Sequence, residues 1–201
     1  MTVDQQEIAA ANPHVVRKSG HETDGEFVQF ESTIYPDSVD SPAADELTHE
    51  PWGLDNDFEH IHPDQEERWE VLSGELRVTI DGEEQFLEEG DEISLPRDVP
   101  HQHHNPTDEP IRVVWERRPA FQSEEWAESV YALAQAGETN AEGVPNPLQI
   151  AVWIDAYPQE TAYPTVVPVG VQRTVSSLLA PVGRRMGYRA TYSRENVETR
   201  P

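Results

Sequence analysis

Cysteine is absent from the 201-residue chain, and lysine occurs once, at Lys18. Without cysteine the protein forms no disulfide bond and offers no thiolate to a metal, which excludes iron–sulfur clusters and structural zinc sites of the cysteine type. Long apolar runs are missing too, since no segment approaches the roughly 18 residues that a membrane-spanning helix needs. The segment Met1–Glu7 lacks the features of a signal peptide. We therefore expect a cytoplasmic protein without a membrane span.

Positive charge is scarce as well. Acidic residues outnumber basic residues 39 to 14, for a formal net charge of −25. Such charge repels itself in dilute buffer, whereas at 1 M salt the Debye length is only about 3 Å. High acidity with almost no lysine resembles proteins of salt-loving archaea, so we expect a halophilic source. The same composition is also typical of partial disorder, but five tryptophans and a dense strand pattern favour a folded core.

The two ends of the chain differ in charge. The last 41 residues hold six arginines and two acids, a balance of +4, whereas the first 160 residues carry −29. We expect the basic tail to dock on the acidic part of this subunit or of a second one, with a membrane-surface contact through Arg184 and Arg185 as the alternative. Nucleic acid is an unfavourable partner for so acidic a chain, because sequence-independent affinity comes from cations that meet phosphates.

Short segments rich in β-branched and aromatic residues follow one another closely from Phe27 onward. We predict strands in these segments: Phe27–Ile34, Phe58–His62, Glu67–Leu72, Leu76–Ile80, Glu84–Leu87, Glu92–Leu95, His101–His104 and Ile111–Trp115. Val15–Lys18 is a candidate edge strand, residues 36–51 are expected to form a loop, and Asp81-Gly82 favours a tight hairpin. The rhythm is typical of an antiparallel β-barrel or jelly roll, so the predicted fold is mainly β.

Past Pro119 the pattern predicts helices. Ser123 is the candidate N-cap of the first helix, which Gly137 can end. Asn146 and Pro147 predict the start of a second helix that runs to about Tyr157. A third segment, Val171–Met186, contains Pro181 and Gly183, and we expect two short pieces there.

Three imidazoles and one carboxylate are the candidate functional groups. His60 and His62 lie two apart in a predicted strand, so both side chains point to one face about 7 Å apart. Glu67 follows after a turn, and His101 comes from a distant strand. First-row transition metals accept this ligand set, which predicts a metal site inside a small barrel. By contrast, His14, His21 and His49 are expected to be exposed and without a specific role.

The spacing of these residues resembles the first motif of the cupin family. That motif runs glycine, about five residues, His-x-His, three or four residues, glutamate, six residues and glycine. The matching residues are Gly53, His60, His62, Glu67 and Gly74, with six residues rather than five after Gly53. Because Glu67 lies at the motif's distance from Gly74, we select it as the ligand rather than Glu66.

A second cupin motif follows at the expected distance. Gly90, Pro96, His101 and Asn105 match it, and Asp98 stands where the motif usually has glycine. Aspartate tolerates positive φ better than most residues, so the exchange is acceptable. The resemblance covers residues 45–118. It implies a cupin barrel over residues 25–119, between a polar N-terminal segment at residues 1–24 and a small α-helical C-terminal extension at residues 120–201.

The resemblance implies that His60, His62, Glu67 and His101 bind a divalent transition metal: iron, manganese, nickel or cobalt, with zinc as a further possibility. The ligand set is similar to that of cupin dioxygenases and oxalate decarboxylases, so the leading hypothesis is a dioxygenase-like oxidoreductase that acts on a small oxygenated substrate. Glu67 would be both metal ligand and catalytic proton acceptor, and His103 could support the site.

Two other functions stay open. One is a small-molecule binding or sensing protein without turnover, since no further catalytic constellation is evident. The other is a sugar isomerase or epimerase, which would need basic residues in the cavity; Arg68 and Arg77 are the only barrel candidates that we identify. Trp69 and Trp115 could line the cavity or pack the barrel. We also expect a homodimer, formed through the edge strand Phe27–Ile34 or through the C-terminal helices.

Overall fold

Two antiparallel sheets of five strands each face one another in the part of the chain that the structure, a computed structural model, describes: residues 14–34, 56–140 and 144–193. The strands are β1 (His14–Lys18), β2 (Val28–Ile34), β3 (Asn56–Ile61), β4 (Glu66–Ser73), β5 (Glu75–Ile80), β6 (Glu83–Glu88), β7 (Glu92–Leu95), β8 (His101–His104), β9 (Ile111–Arg118) and β10 (Tyr163–Pro164). The first sheet has the order β1-β2-β9-β4-β7, and the second has the order β10-β3-β8-β5-β6. The predicted mainly β fold is confirmed, and the candidate edge strand at Val15–Lys18 is part of β1.

Alternating burial explains why these segments form a double-sheet barrel. Every second residue of β2 is buried, and β4 buries Glu67, Trp69 and Val71 on one face. Side chains in a strand point to opposite faces in turn, so one face of each sheet supplies the core. The inward faces of the two sheets therefore enclose one space, which aromatic and aliphatic side chains fill together with a few polar groups.

The turns use residues that accept a left-handed backbone. Asp81 and Gly82 both have positive φ, at 49° and 81°, which is the requirement of the tight hairpin predicted between β5 and β6. Asp98 has a φ of 60°, as expected for a residue in a glycine position. At Gly74, with a φ of 87°, an added Cβ would lie 2.5 Å from Cγ2 of Ile111, so glycine is required on steric grounds as well.

Three helices follow the barrel: α1 (Ser123–Gln135), α2 (Pro147–Ala156) and α3 (Val169–Arg185). The predicted helical C-terminal part is confirmed, as is the Asn146 cap, whose side chain accepts a hydrogen bond from the Leu148 amide. Gly137, with a φ of 69°, follows the end of α1 as predicted. None of the helices in the described ranges is long and apolar enough to cross a membrane.

Two details of the helix predictions were wrong. Ser123 is the first residue of α1 rather than its N-cap, and its hydroxyl instead accepts a hydrogen bond from Gln65. The segment around Pro181 is one continuous helix and not two pieces. Proline removes one backbone hydrogen bond, but the close packing of Gly183 against Val152 and Leu148 of α2 holds the helix together across that point.

The helical extension is fastened to the barrel beside β3. Strand β10 pairs with β3 and places Pro164 opposite His60. Arg173 of α3 forms an ion pair with Asp64 at 2.5 Å, which is one contact of the kind expected between the basic tail and the acidic barrel. Arg194 and Arg200 lie outside the described residues. The extension therefore covers the edge of the sheet that carries the first candidate metal ligands.

The expectation that His14 is exposed was wrong. Its ring stacks on Phe30 of the barrel at 4.7 Å and on Tyr131 of α1 at 4.1 Å between centroids, and it bonds the Ser32 hydroxyl at 3.2 Å. Burial lowers the pKa of His14 to about 3. His21 is exposed as expected, and His49 lies outside the described residues. His14 thus joins β1, the barrel and the helical extension.

Candidate metal centre

Four predicted side chains meet in the space between the two sheets. His60 lies on β3, His62 directly follows that strand, Glu67 lies on β4, and His101 begins β8. Register brings them together, because His60 pairs with His101 across the β3–β8 ladder. One ligand atom from each of the four lies within 4.8 Å of the others, and each residue is only 1–2 % exposed. The strand pairing therefore produces a compact cluster from residues 41 positions apart in sequence.

Backbone carbonyls orient two of the imidazoles. Nδ1 of His60 donates to the carbonyl of Phe58, and Nδ1 of His101 donates to the carbonyl of Val99, both at 2.9 Å. A carbonyl only accepts, so Nδ1 carries the proton and Nε2 keeps its lone pair. Nε2 of His101 lies 3.5 Å from the Glu67 carboxylate and, within the described part of the chain, is buried without a hydrogen-bond partner. Carbonyls that fix the ring in this way are typical of histidines that bind metal.

The charge state of the cluster also suits a cation. Burial lowers the pKa of His60 to about 3, and burial together with Arg117 holds the pKa of His62 well below its usual value. Burial alone would raise the pKa of the Glu67 carboxyl, but His62, Arg117 and His101 outweigh that effect and lower the pKa well below its usual value. At neutral pH His60 and His62 are thus neutral imidazoles, and Glu67 is an ionised carboxylate.

Arg117 of β9 is a site residue that the sequence reasoning missed. Its Nε lies 2.8 Å from Oε1 of Glu67, and one terminal nitrogen lies 3.4 Å from Nε2 of His62. The other terminal nitrogen donates to the carbonyl of Glu160 in the helical extension. The guanidinium lies over the rings of two tryptophans, 5.4 Å from Trp115 and 4.7 Å from Trp126. Arg117 is therefore a buried cation that contacts the cluster, the helical extension and two tryptophan rings.

The two arginines that the sequence suggested for the cavity point elsewhere. Arg68 is exposed and pairs with Glu92, and Arg77 lies 3.8 Å from Glu84 of the neighbouring strand β6. The expectation that these were the only barrel candidates was wrong, because Arg117 lies inside. Strand alternation could have predicted that Arg117 points inward. Every second residue of β9 is Ile111, Val113, Trp115 and Arg117, and the first three are inward apolar residues.

Trp69 and His103 form the next layer around the cluster. The indole nitrogen of Trp69 donates to Oε2 of Glu67 at 3.3 Å, and the ring of Trp69 lies 4.3 Å from that of buried His103. Trp115, in contrast, packs on Phe30 at 4.2 Å and donates to the Ser32 hydroxyl. Of the two tryptophans considered for the cavity, Trp69 contacts a candidate ligand directly, while Trp115 belongs to the core.

Three imidazoles and a carboxylate in one buried cluster fit a first-row divalent cation by number, type and charge. Without a cation, the buried lone pair of His101 has no donor to meet within the described residues. The residues present therefore suit a divalent metal site, although the donor set alone does not select one ion.

The two facing antiparallel sheets, with this cluster between them, define a cupin fold. The sequence agrees, since residues 50–115 match the family model described as Cupin domain, and this range contains all four residues of the cluster. The matched range covers about a third of the chain, and over that range the sequence is similar to the cupin family.

Solved structures with a similar fold share little sequence with this chain. A cupin protein from Bacteroides fragilis is 23% identical over 60% of this chain and 83% of that one, with a TM-score of 0.39. KdgF from Halomonas sp. is 14% identical over 55% and 82%, with a TM-score of 0.40. A predicted oxalate decarboxylase from Thermotoga maritima is 13% identical over 53% and 78%, also at 0.40. No curated protein sequence matches the chain.

Proposed function

We propose that this protein is a metal-dependent oxidoreductase of the cupin dioxygenase type, which acts on a small oxygenated organic molecule. His60, His62, Glu67 and His101 hold the metal. The observation that carries the proposal is the meeting of these four buried groups, with one ligand atom of each within 4.8 Å of the others. An iron, manganese, nickel or cobalt ion there would supply Lewis acidity and redox chemistry, and zinc would supply Lewis acidity alone.

The protein's own part begins with holding the ligands. The hydrogen bonds of His60 and His101 to backbone carbonyls keep both Nε2 lone pairs directed into the cluster. Such partners typically account for a 10–100-fold difference in metal affinity or activity. Because β3 and β8 are paired at these two residues, the imidazoles move as one unit with the sheet. A substrate oxygen would therefore meet a rigid set of ligands.

Glu67 is the group best placed to move a proton. Its Oε1 forms the ion pair with Nε of Arg117 at 2.8 Å, while Oε2 lies near His101 and accepts from Trp69. We propose that Oε2 is the metal-facing oxygen and that it accepts a proton from bound substrate. Arg117 keeps the carboxylate ionised and oriented, because it stabilises the negative charge.

The same contacts favour a second candidate, a small-molecule binding protein that holds metal without turnover. Glu67 is engaged by Arg117 and Trp69, so a mobile proton acceptor requires those contacts to loosen. Sugar isomerase chemistry is less favoured, because Arg68 and Arg77 pair with glutamates rather than with the cluster, and Arg117, which lies inside, is already paired with Glu67. A halophilic source completes the proposal, on the strength of the acidic composition. A cytoplasmic location stays the expectation from the sequence.

The first experiment is elemental analysis of protein purified in molar salt without chelators. We expect about one equivalent of iron, nickel, manganese or cobalt per chain, and its loss in the His60→Ala/His101→Ala double variant. His21→Ala is the matched control, since His21 is exposed and outside the cluster. Equal metal in all three proteins would contradict the site.

Metal-loaded protein is then tested for oxygen uptake with a panel of enediols and flavonols. The proposed oxidoreductase consumes oxygen with at least one of them, and Glu67→Gln slows the reaction while metal content persists. Saturable ligand binding without oxygen uptake across the panel would support the second candidate instead.

A further inference from the structure

Helix α3 exposes its large apolar side chains to solvent, which is not expected of a helix whose only role is to cover a barrel. Its buried residues are the small ones, Ser176, Ala180 and Gly183. The large apolar residues in and just after α3 are exposed: Val171, Val175, Leu178, Leu179, Val182 and Met186. Leu178 is 73% exposed and Met186 is 64% exposed. A surface helix of a monomer normally presents the opposite arrangement.

The small residues of α3 already satisfy its contact with α2. A Cβ added at Gly183 would lie 2.8 Å from Cγ2 of Val152 and 3.0 Å from the carbonyl oxygen of Leu148. The two helices therefore approach so closely that no larger side chain fits between them. The exposed residues are not a displaced part of this contact, and they form a separate surface, which we name the α3 stripe.

The spacing of the α3 stripe is that of a helix–helix seam. Val171, Val175, Leu178 and Val182 follow one another at intervals of four, three and four residues. The average of about 3.7 residues is close to the 3.6 residues of one helical turn, so these side chains form one row that can face a partner helix. Helix α3 has 17 residues, hence a length of roughly 25 Å, and the stripe runs along most of it. The pattern suits a helical partner better than a flat lipid surface.

The charges around the stripe suit a second copy of this chain. No acidic residue occurs between Glu160 and Glu195, although the chain as a whole carries −25. Two such chains repel one another over most of their surfaces, and this segment is the exception. Of the basic residues of α3, Arg173 and Arg184 pair within the subunit with Asp64 and Asp155. Exposed Arg185, at the end of the helix, has no ion pair within the described residues.

We propose that the α3 stripe is the interface of a homodimer, in which two α3 helices pack antiparallel about a twofold axis near Leu178 and Leu179. A twofold interface joins the same patch on both subunits. The α3 stripe can pair with itself because it is apolar and carries no acidic residue that would repel its copy. Antiparallel packing brings Arg185 of one copy toward the other end of the second α3. There Glu59 is exposed and accepts a hydrogen bond from Thr165. The proposal does not depend on the reaction that the metal site supports.

Sedimentation equilibrium in molar salt tests the proposal. We expect wild-type protein to be dimeric at micromolar concentration, and Leu178→Glu to raise the dimer dissociation constant at least about 100-fold, because a carboxylate would face apolar surface. Phe86→Glu is the matched control. Phe86 is 57% exposed on the edge strand β6, so this variant places the same charge at another exposed apolar site. It is expected to leave the dimer intact.

Cross-linking gives a second readout that does not depend on a destabilised dimer. The chain has no cysteine, so a single introduced thiol is unique. Leu178→Cys lies near the proposed twofold axis and is expected to form a disulfide-linked dimer under mild oxidation. Phe86→Cys is expected to remain unlinked at the same concentration.

Three results would overturn the proposal. One is a wild-type protein that is monomeric at all concentrations. Another is a dimer that Phe86→Glu dissociates and Leu178→Glu does not, which would assign the interface to the edge of the second sheet. The third is wild-type protein that binds anionic phosphatidylserine vesicles through the stripe while remaining monomeric in solution, with binding lost in Leu178→Glu.

Discussion

The barrel and helix α3 break the ordinary rule of burial in opposite directions. The barrel encloses ionisable groups, since Glu67 and Arg117 are buried together with three histidines. Helix α3 leaves its large apolar side chains outside and buries small ones. Both arrangements cost stability unless a partner compensates them, a cation in the first case and a second protein surface in the second. Departures from the burial rule therefore mark the two places where this molecule is expected to bind something.

The largest expected effect comes from breaking the buried ion pair. Arg117→Met keeps an apolar side chain of similar length between Trp115 and Trp126 but leaves the Glu67 carboxylate unpaired. We expect a loss of about 3–5 kcal/mol in the free energy of unfolding of metal-free protein, measured by denaturant titration. The control is Arg68→Met, which removes an exposed pair and should cost less than about 1 kcal/mol. Equal losses in both variants would contradict the special role of Arg117.

Metal binding to the cluster should stabilise the barrel. A divalent ion at about 100 times its dissociation constant stabilises the folded state by about 2.7 kcal/mol, because it binds the assembled cluster and not the unfolded chain. Thermal unfolding with Mn²⁺ or Ni²⁺, before and after addition of a chelator, measures the effect. His101→Ala should abolish it. A stabilisation that survives in this variant would place the ion elsewhere.

His14 lies between the barrel and helix α1, and its enclosure there makes that junction sensitive to pH. The pKa of His14 is about 3 in the folded protein and about 6.5 when unfolded, so the unfolded chain takes up a proton first as the pH falls. The folded state therefore loses stability from pH 6.5 down toward 3. We expect wild-type protein to lose about 2 kcal/mol more than His14→Phe between pH 7 and pH 5. His60 and His62 titrate alike in both proteins, so the difference isolates His14.

The smallest expected effect concerns the contact between α2 and α3. Gly183→Ala adds a methyl group 2.8 Å from Val152, and we expect a loss of about 1 kcal/mol because overpacking exceeds the gain in helix propensity. Gly170→Ala is the matched control, since nothing lies within 4 Å of its added Cβ. That variant should be neutral or slightly more stable. If both variants behaved alike in unfolding experiments, the close contact described for Gly183 would be wrong.

The four residues of the cluster were predictable because strand parity and motif spacing indicate them, although His60 and His101 meet only through the pairing of distant strands. Parity along a strand places His60 and His62 on one face, and the spacing of the two motifs fixes Glu67 and His101 relative to the turns. The barrel was predictable for the same reason, since each hairpin has its turn residues in sequence, as at Asp81 and Gly82.

The features that were missed depend on long-range contacts. Arg117 is held by Glu67 through the β4–β9 register and by Glu160, 43 residues away, and neither contact appears in a motif. The ring of His14 is covered by its stack on Tyr131 of α1. At Pro181 a local signal predicted a break, and packing against α2 overrode it. Sequence spacing predicts the conformation of a single helix or strand, whereas the structure around these residues is set by contacts with other elements.

The position of β10 has a consequence for how the site is made. All four candidate ligands precede residue 102, whereas the carbonyl of Glu160 and the strand Tyr163–Pro164 that pairs beside His60 come about 60 residues later. A ribosome adds about 5–20 residues each second. For several seconds of every synthesis, therefore, the ligands exist while the segment that covers them has not yet been made. The covering segment is made after the ligands, and a metal that enters during that interval would be enclosed by the chain that follows.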